Sequence, residues 1–440
     1  MKTTIAVLDK QSGNAKLTSY DELHCLRLAD AAVVFDGRVY APATGASGAE
    51  TIAKKLEQAD SVRASEAFLK QVEGDFSFII AEHERIIAGR DPIGVQPLYY
   101  GETPNLVALA SNRKALWKLG IDKPRSFPPG NLGVVSREGF KFKPIKTLVY
   151  PQPKQVTMQE ASENLQKLLE KSVRSRVLGA GEVAVAFSGG LDSSVVAFLA
   201  KKCKVDVRLV HVSLENQAET EAAKEAADAL GLSLQVCLFR EADVEKVVAR
   251  VMELIEEPDP VKASIGVPFF WTAEKAAEAG FEVLLAGQGA DELFGGYQRY
   301  VNEYLQDGET TVRKTMFEDV VRVHESNLER DVKICHFHGV ELRLPFASYQ
   351  LAEFALALPI ALKIERDAGS LRKLVLRKAA EDMGLPASIA AKPKKAVQYS
   401  TGINRVLKKL AKAQKVIVAE YVNRLFLSQK ERMLSSPNNS

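Results

Sequence analysis

Seven consecutive residues, Ser188-Gly-Gly-Leu-Asp-Ser-Ser194, gather hydroxyls, two glycines and one acid directly after the apolar run Glu182-Val-Ala-Val-Ala-Phe187 and directly before a helical pattern. Gly189 and Gly190 let the backbone turn tightly and aim successive N–H groups at a tetrahedral oxyanion seated on the helix start. Ser188, Ser193 and Ser194 add hydroxyl donors. Asp192 would repel a phosphate unless a divalent cation lay between them, which makes it a candidate magnesium ligand. The run lacks the GxxxxGK(S/T) of a kinase-type phosphate loop and the GxGxxG of a dinucleotide site, so neither phosphoryl nor hydride transfer is indicated. The plainer alternative is that two glycines and a serine-rich cap simply start a helix, with Asp192 complementing its dipole.

A second acidic cluster follows another buried run, in Leu284-Leu-Ala-Gly-Gln-Gly-Ala-Asp-Glu-Leu-Phe-Gly-Gly-Tyr297. The C-terminal ends of parallel strands share one crevice, so Asp291 would reach the same cation as Asp192, with Gly287 beside the nucleotide. The alternative is that Asp291 and Glu292 only cap a helix. The run over 205–213 would lie beside the first loop, with Val212 offering backbone groups to the edge of a base. His211 in that strand reads as a core residue ahead of a catalytic base.

These loops need a sheet to hold them. From Met158 the spacing of Leu165, Leu168, Leu169, Val173 and Val177 predicts a helix. Helices over 192–202, 219–230 and 241–256 then alternate with strands over 205–213, 232–238 and 282–286, which predicts an α/β, doubly wound parallel sheet. After Gly296 the pattern predicts an almost wholly helical region. The first 150 residues differ: short apolar runs at Thr4 to Leu8, Ala31 to Phe35, Phe76 to Ile80, Leu98 to Tyr100 and Leu106 to Ala110 predict a β-rich domain. Pro151 and Pro153 mark a linker between 148 and 158. With 440 residues, 46% hydrophobic and 26% charged, the chain has the composition of a folded globular protein. Its net charge of +3 indicates no nucleic-acid partner, and no apolar run is long enough to span a membrane, so a cytoplasmic protein is expected. Cys25, Cys203, Cys237 and Cys335 form no CxxC or short His/Cys spacing, which argues against disulfides and structural zinc.

Ser188 to Ser194 resembles the SGGxDS loop of the ATP pyrophosphatase (PP-loop) superfamily at every position. The segment from Gly287 to Tyr297 resembles the GxGxDExxxGY region of the asparagine synthetases. Gly339-Val-Glu-Leu-Arg-Leu-Pro-Phe346, Lys373-Leu-Val-Leu-Arg377, and Lys392-Pro-Lys-Lys395 with Ser400-Thr-Gly402 extend the likeness over roughly 160–405. The resemblance implies ATP and Mg2+ as cofactors, a carboxylate such as aspartate and ammonia as substrates, and Lys394 as the lysine that neutralises departing pyrophosphate. Gln288 stands where the family carries a glutamate that handles the amine and intermediate. Glutamine keeps its size and hydrogen bonding and cannot act as a base.

The first 150 residues resemble a class II glutaminase (Ntn-type) domain through Gly74-Asp-Phe-Ser-Phe-Ile79, Gly89-Arg-Asp-Pro-Ile-Gly-Val-Gln-Pro-Leu-Tyr-Tyr-Gly101, Ala110-Ser-Asn-Arg-Lys-Ala-Leu116 and Phe127-Pro-Pro-Gly130. The chemistry of that domain is missing. Lys2 aligns with the nucleophilic cysteine, Asp36-Gly-Arg38 with the glutamine-holding Asn-Gly-Glu, and Gly48 with the aspartate that clamps the substrate amine; Cys25 lies away from the strand start. The expectation is thus a β-rich α+β sandwich over 1–150, a degenerate class II glutamine amidotransferase-like domain. It is followed over 156–430 by an asparagine-synthetase-like ATP pyrophosphatase domain with a helical C-terminal region. The activity expected is ammonia-dependent, AMP-forming amide synthesis without glutaminase activity. A PP-loop enzyme with another acceptor, or a non-catalytic ATP-binding regulator, stays open, and a homodimer is compatible with the chain.

Overall fold

The structure is a computed structural model that describes residues 3–19, 25–28, 30–42, 47–367, 369, 371–392 and 402–435. It divides into two compact units, Met1–Leu148 with Ser428–Ser440, and Val149–Leu427.

The first unit holds strands β1 (Thr4–Asp9), β2 (Ala15–Ser19), β3 (Cys25–Arg27), β4 (Ala32–Ala41), β5 (Glu73–Ala81), β6 (Ile86–Arg90), β7 (Tyr99–Glu102), β8 (Leu106–Ala110), β9 (Arg125–Ser126), β10 (Asn131–Ser136) and β11 (Gly139–Pro144). Helices α1 (Gly48–Leu56), α2 (Ser61–Gln71) and α3 (Arg113–Lys118) accompany them, and residues 428–435 of the unit are helical as well. One sheet runs β2-β1-β8-β7-β9 and the other β11-β10-β6-β5-β4-β3. Strand β5 explains the layering, because alternate side chains of a strand point to opposite faces. Phe76, Phe78 and Ile80 join Phe35, Ile52 and Phe68 in the core under α1 and α2. Ile79 and Ala81 face the other way and meet Ala6, Leu8, Val107 and Leu109 of the second sheet. Tyr99, Ala108 and Ala110 turn out towards Leu116 of α3. The order is helix, sheet, sheet, helix: a β-rich α+β sandwich.

The second unit holds α4 (Met158–Val177), β12 (Glu182–Ala186), α5 (Leu191–Lys202), β13 (Asp206–Leu214), α6 (Glu219–Leu230), β14 (Leu234–Phe239), α7 (Glu241–Ile255), α8 (Pro260–Glu278), β15 (Val283–Leu285) and α9 (Ala290–Phe294). Then come α10 (Gln298–Asp307), α11 (Glu309–Val321), α12 (Glu329–Phe337), β16 (Glu341–Arg343), α13 (Tyr349–Leu356) and α14 (Leu374–Asp382). Thr157 and Glu160 close a reciprocal capping box at the start of α4. The sheet runs β14-β13-β12-β15-β16, with every neighbouring pair parallel. The chain builds outward from β12 on one side through β13 and β14, then returns to its other side with β15. That reversal opens a crevice at the C-terminal ends of β12 and β15, where ligands of doubly wound sheets bind.

Two features add to the sequence expectation. The region after Gly296 is almost wholly helical, as its pattern predicts, but Glu341–Arg343 pairs with Val283–Leu285 as a fifth parallel strand, too short for alternation to reveal. Residues 260–278 form a long helix whose Phe269, Phe270 and Trp271 are all buried, so it carries no polar stripe to mark its period.

Candidate functional site

The loop between β12 and α5 has the conformation its glycines predict. Gly189 sits at φ +68°, and a Cβ there would lie 2.7 Å from the Cα of Ala223 on α6, so both conformation and space require glycine. The Ser188 and Ser193 hydroxyls lie 3.2 Å apart, Ser193 Oγ donates to the Gly190 carbonyl at 3.2 Å, and the Gly190 N–H donates to Ser188 Oγ at 3.3 Å. Gly190 supplies no side-chain cap to α5, which leaves first-turn N–H groups free for an anion. Ser194 Oγ is buried, with no partner among the described residues.

Beneath this loop, His211 Nδ1 lies 2.9 Å from the Phe187 carbonyl and Nε2 lies 3.4 Å from Thr220 Oγ1. Burial lowers its pKa, while the Phe187 carbonyl and Glu219 pull the other way. A neutral ring donating from Nδ1 and accepting at Nε2 satisfies both contacts, so His211 braces the strand as expected. Val212, next along β13, is buried.

The second loop lies close against the first. A Cβ on Gly287 would lie 2.9 Å from Asp192 Cβ and 3.2 Å from the Ser193 nitrogen, so only glycine allows this approach. Asp291 lies in the first turn of α9, and its carboxylate also needs a glycine, since a Cβ on Gly296 would collide with it at 1.8 Å. The two acids share a cation that the sequence reading did not single out. Lys373 Nζ donates to both Asp192 oxygens at 2.6 Å and lies 2.6 Å from Asp291 Oδ1. Lys373 is itself buried, at 1% exposure. Burial alone would lower its pKa, but the two carboxylates outweigh that and raise it.

Lys373 also adopts φ +63°, a left-handed conformation that a non-glycine residue holds only when its surroundings impose it. It stands at the N-cap of α14, where the helix dipole disfavours a cation. A lysine opening the helical run Lys373-Leu-Val-Leu-Arg377 was the one signal in the sequence that could have exposed it.

Gln288 projects from the same loop, and its Nε2 donates to Asp331 Oδ2 at 2.7 Å. Asp331 is fully buried and gripped by Arg330, from Nε at 2.7 Å and Nη2 at 3.0 Å. Glu292, next to Asp291, accepts from Tyr297 at 2.6 Å and Asn327 at 2.7 Å and so belongs to the scaffold. Lys394 lies outside the described residues, as does Lys2.

In the first unit, Gly48 opens α1, and a Cβ there would lie 2.1 Å from the Phe35 ring. The ring fills the space a side chain at 48 would need. Asp36, Gly37 and Arg38 lie within β4, paired with Ser77, Phe76 and Asp75 of β5. Cys25 lies in the short edge strand β3.

Residues 164–310 and 302–435 match the asparagine synthase family model, and residues 30–118 match a glutamine amidotransferase domain. The chain is 34% identical over 391 residues to a provisionally named asparagine synthetase (glutamine-hydrolyzing) 1 of Methanocaldococcus jannaschii, covering 78% of this chain and 72% of that protein. It is 30% identical over 361 residues to an asparagine synthetase (glutamine-hydrolyzing) of Asparagus officinalis, covering 77% of this chain but 59% of that enzyme's length. Two solved structures align more loosely and carry no argument. They are an NMN synthetase from Francisella tularensis (13% identity, TM-score 0.31, 64% of this chain and 100% of that one) and a glutamine phosphoribosylpyrophosphate amidotransferase from B. subtilis (14%, TM-score 0.29, 53% and 59%).

Proposed function

Because the chain belongs to the asparagine synthase family, we propose that it is an AMP-forming ligase that adenylates a carboxylate, aspartate in the first instance, and joins it to free ammonia. One observation carries this reading: Asp192 and Asp291, from two loops at the sheet reversal, converge on the Lys373 ammonium at 2.6 Å beside the uncapped start of α5.

Two carboxylates that already share one cation are the hard oxygen donors Mg2+ requires, so Asp192 and Asp291 would hold it. Bound there, magnesium would neutralise phosphate charge and make the α-phosphorus more electrophilic. The protein's own groups do the rest. The N–H groups of the Ser188 to Ser194 loop bind the phosphates, and Val212 and Gly287 border the nucleotide. Lys373, whose ammonium lies against the same two carboxylates, adds positive charge to this crevice as charge moves onto pyrophosphate. A substrate carboxylate oxygen attacks the α-phosphorus and pyrophosphate departs. An amine then attacks the acyl carbon, the bond to AMP breaks, and the proton lost from nitrogen passes to water or phosphate. Lys394 is assigned to the departing pyrophosphate through its family resemblance.

The absence of glutaminase activity rests on the first unit. The relatives named above are glutamine-hydrolysing by name, but here Gly48, at the position of the amine clamp, lies against Phe35. Arg38 would repel the α-amino group that its counterpart must attract. Gln288 in place of the family glutamate favours a second reading, in which the same adenylation serves a different carboxylate.

Measuring AMP and pyrophosphate release with candidate carboxylates, and with ammonium or glutamine as nitrogen donor, tests all of this. Aspartate- and ammonium-dependent AMP is expected, with no glutamate from glutamine. Release with another acceptor alone supports the second reading. No AMP with any carboxylate refutes both.

A further inference from the structure

The Lys373 ammonium stands between the two acids, where a metal touching both would have to sit. Nζ is 2.6 Å from both Asp192 oxygens and from Asp291 Oδ1. The side chain runs over Gly296, where a Cβ would lie 2.5 Å from Lys373 Cε. Its backbone is anchored on each side. The Leu374 N–H donates to the Lys363 carbonyl at 2.9 Å, the Arg377 N–H donates to the Lys373 carbonyl at 2.9 Å, and Arg372 bridges to Ile364. The ammonium can therefore leave its seat only by rotation of its own side chain. Two acids are also a short ligand set. Among the described residues no group of three or more His, Cys, Asp or Glu side chains could hold a metal, whereas magnesium demands a full octahedral shell of oxygens.

Resting on the ligase reading above, we propose that Lys373 is a specificity-determining residue: as a built-in counter-ion it keeps free divalent metal out of the seat between Asp192 and Asp291, and yields that seat only to metal arriving with a triphosphate. A free cation would have to part the ammonium from two carboxylates and leave it buried, at 1% exposure, without an anion. A nucleotide changes the balance. Its phosphates supply oxygens that two acids lack, and they bring negative charge to the start of α5 that the displaced ammonium can face. Without a nucleotide, the same ammonium keeps the two acids from repelling each other and so holds the two loops together.

The test is Mn2+ binding followed by electron paramagnetic resonance, which counts the free aqueous ion and involves no catalysis. The unmodified protein should leave Mn2+ free when no nucleotide is present, and should bind it when α,β-methylene-ATP, which cannot be cleaved between its α and β phosphates, is added. K373N is neutral there and carries a residue at ease in the left-handed region. Without nucleotide it should bind Mn2+ at least about a hundredfold more tightly than its parent, the scale set by parting a buried ammonium from its partners. Adding D192N to K373N should abolish that gain. Equal Mn2+ affinities of K373N and its parent without nucleotide would overturn the proposal. So would binding of Mn2+ by the unmodified protein as tightly without the analogue as with it, a result that needs no variant to fold. Carboxylate-dependent exchange of pyrophosphate into ATP by the unmodified protein separates the two readings. Its absence overturns the ligase reading and this inference with it, whereas exchange together with equal Mn2+ affinities overturns this inference alone.

Discussion

Lys373→Met removes the cation that Asp192 and Asp291 share and leaves two carboxylates facing each other. Their oxygens both lie 2.6 Å from Nζ and so stand no more than about 5 Å apart, where two unit charges at an effective dielectric of about 20 repel by about 3 kcal/mol. Breaking a buried ion pair by removing one partner costs about 3–5 kcal/mol, which agrees. The loss should be visible in the unit that contains the site. Trp117 and Trp271 fall in different units, so in a Trp117→Phe background the fluorescence of Trp271, stacked on Phe239, follows the second unit through urea unfolding. The substitution should lower the midpoint markedly. MgCl2 should restore it, since a ligand at about 100 times its Kd contributes about 2.7 kcal/mol to the state that binds it. NaCl at equal ionic strength should not. Adding Asp192→Asn to Lys373→Met should recover much of the loss, because one charge no longer opposes another. A Lys373→Met protein as stable as its parent, or one that magnesium and sodium salts stabilise alike, would refute the shared-cation reading.

Gly287→Ala would force the second loop off Asp192, at a packing cost of about 1–3 kcal/mol, and should reduce AMP formation at least tenfold in a coupled pyrophosphate assay. Gly48→Asp should not create glutaminase activity, read as glutamate release, because the Phe35 ring occupies the space. Acid should weaken the fold through His338, whose pKa burial lowers from 6.5 to about 4 while Glu278 opposes the shift. Between those values the unfolded chain binds a proton that the native chain refuses, so stability is present above pH 6.5 and is lost as pH falls towards 4. A His338→Gln variant should show a shallower decline over that range in urea midpoints, and an unchanged slope would remove His338 from the explanation.

The two loops were legible because glycine at a strand-to-helix corner and acids just beyond it have few alternative meanings. Asp192 and Asp291 do meet, and the strands that bring them together were visible as uninterrupted apolar runs. Lys373 was not legible, because a lysine in a helical stretch usually means a solvated face. Only its backbone φ of +63° and its burial mark it as belonging to the site. Asp331 was invisible for a related reason: nothing in Glu329-Arg-Asp-Val-Lys333 distinguishes buried charges from a solvated helix turn. In the first unit Phe35 was readable as core, but its occupation of the space beside Gly48 depends on tertiary packing. The strand over Glu341–Arg343 was missed because three residues carry too little alternation to register.

Breakage of ATP between its α and β phosphates by a substrate carboxylate can be followed with one isotope. Aspartate labelled with 18O in its side-chain carboxyl, incubated with the protein, ATP, magnesium and ammonium, should pass one labelled oxygen into each AMP, detected by mass spectrometry. AMP without label, or ADP in its place, would contradict the account.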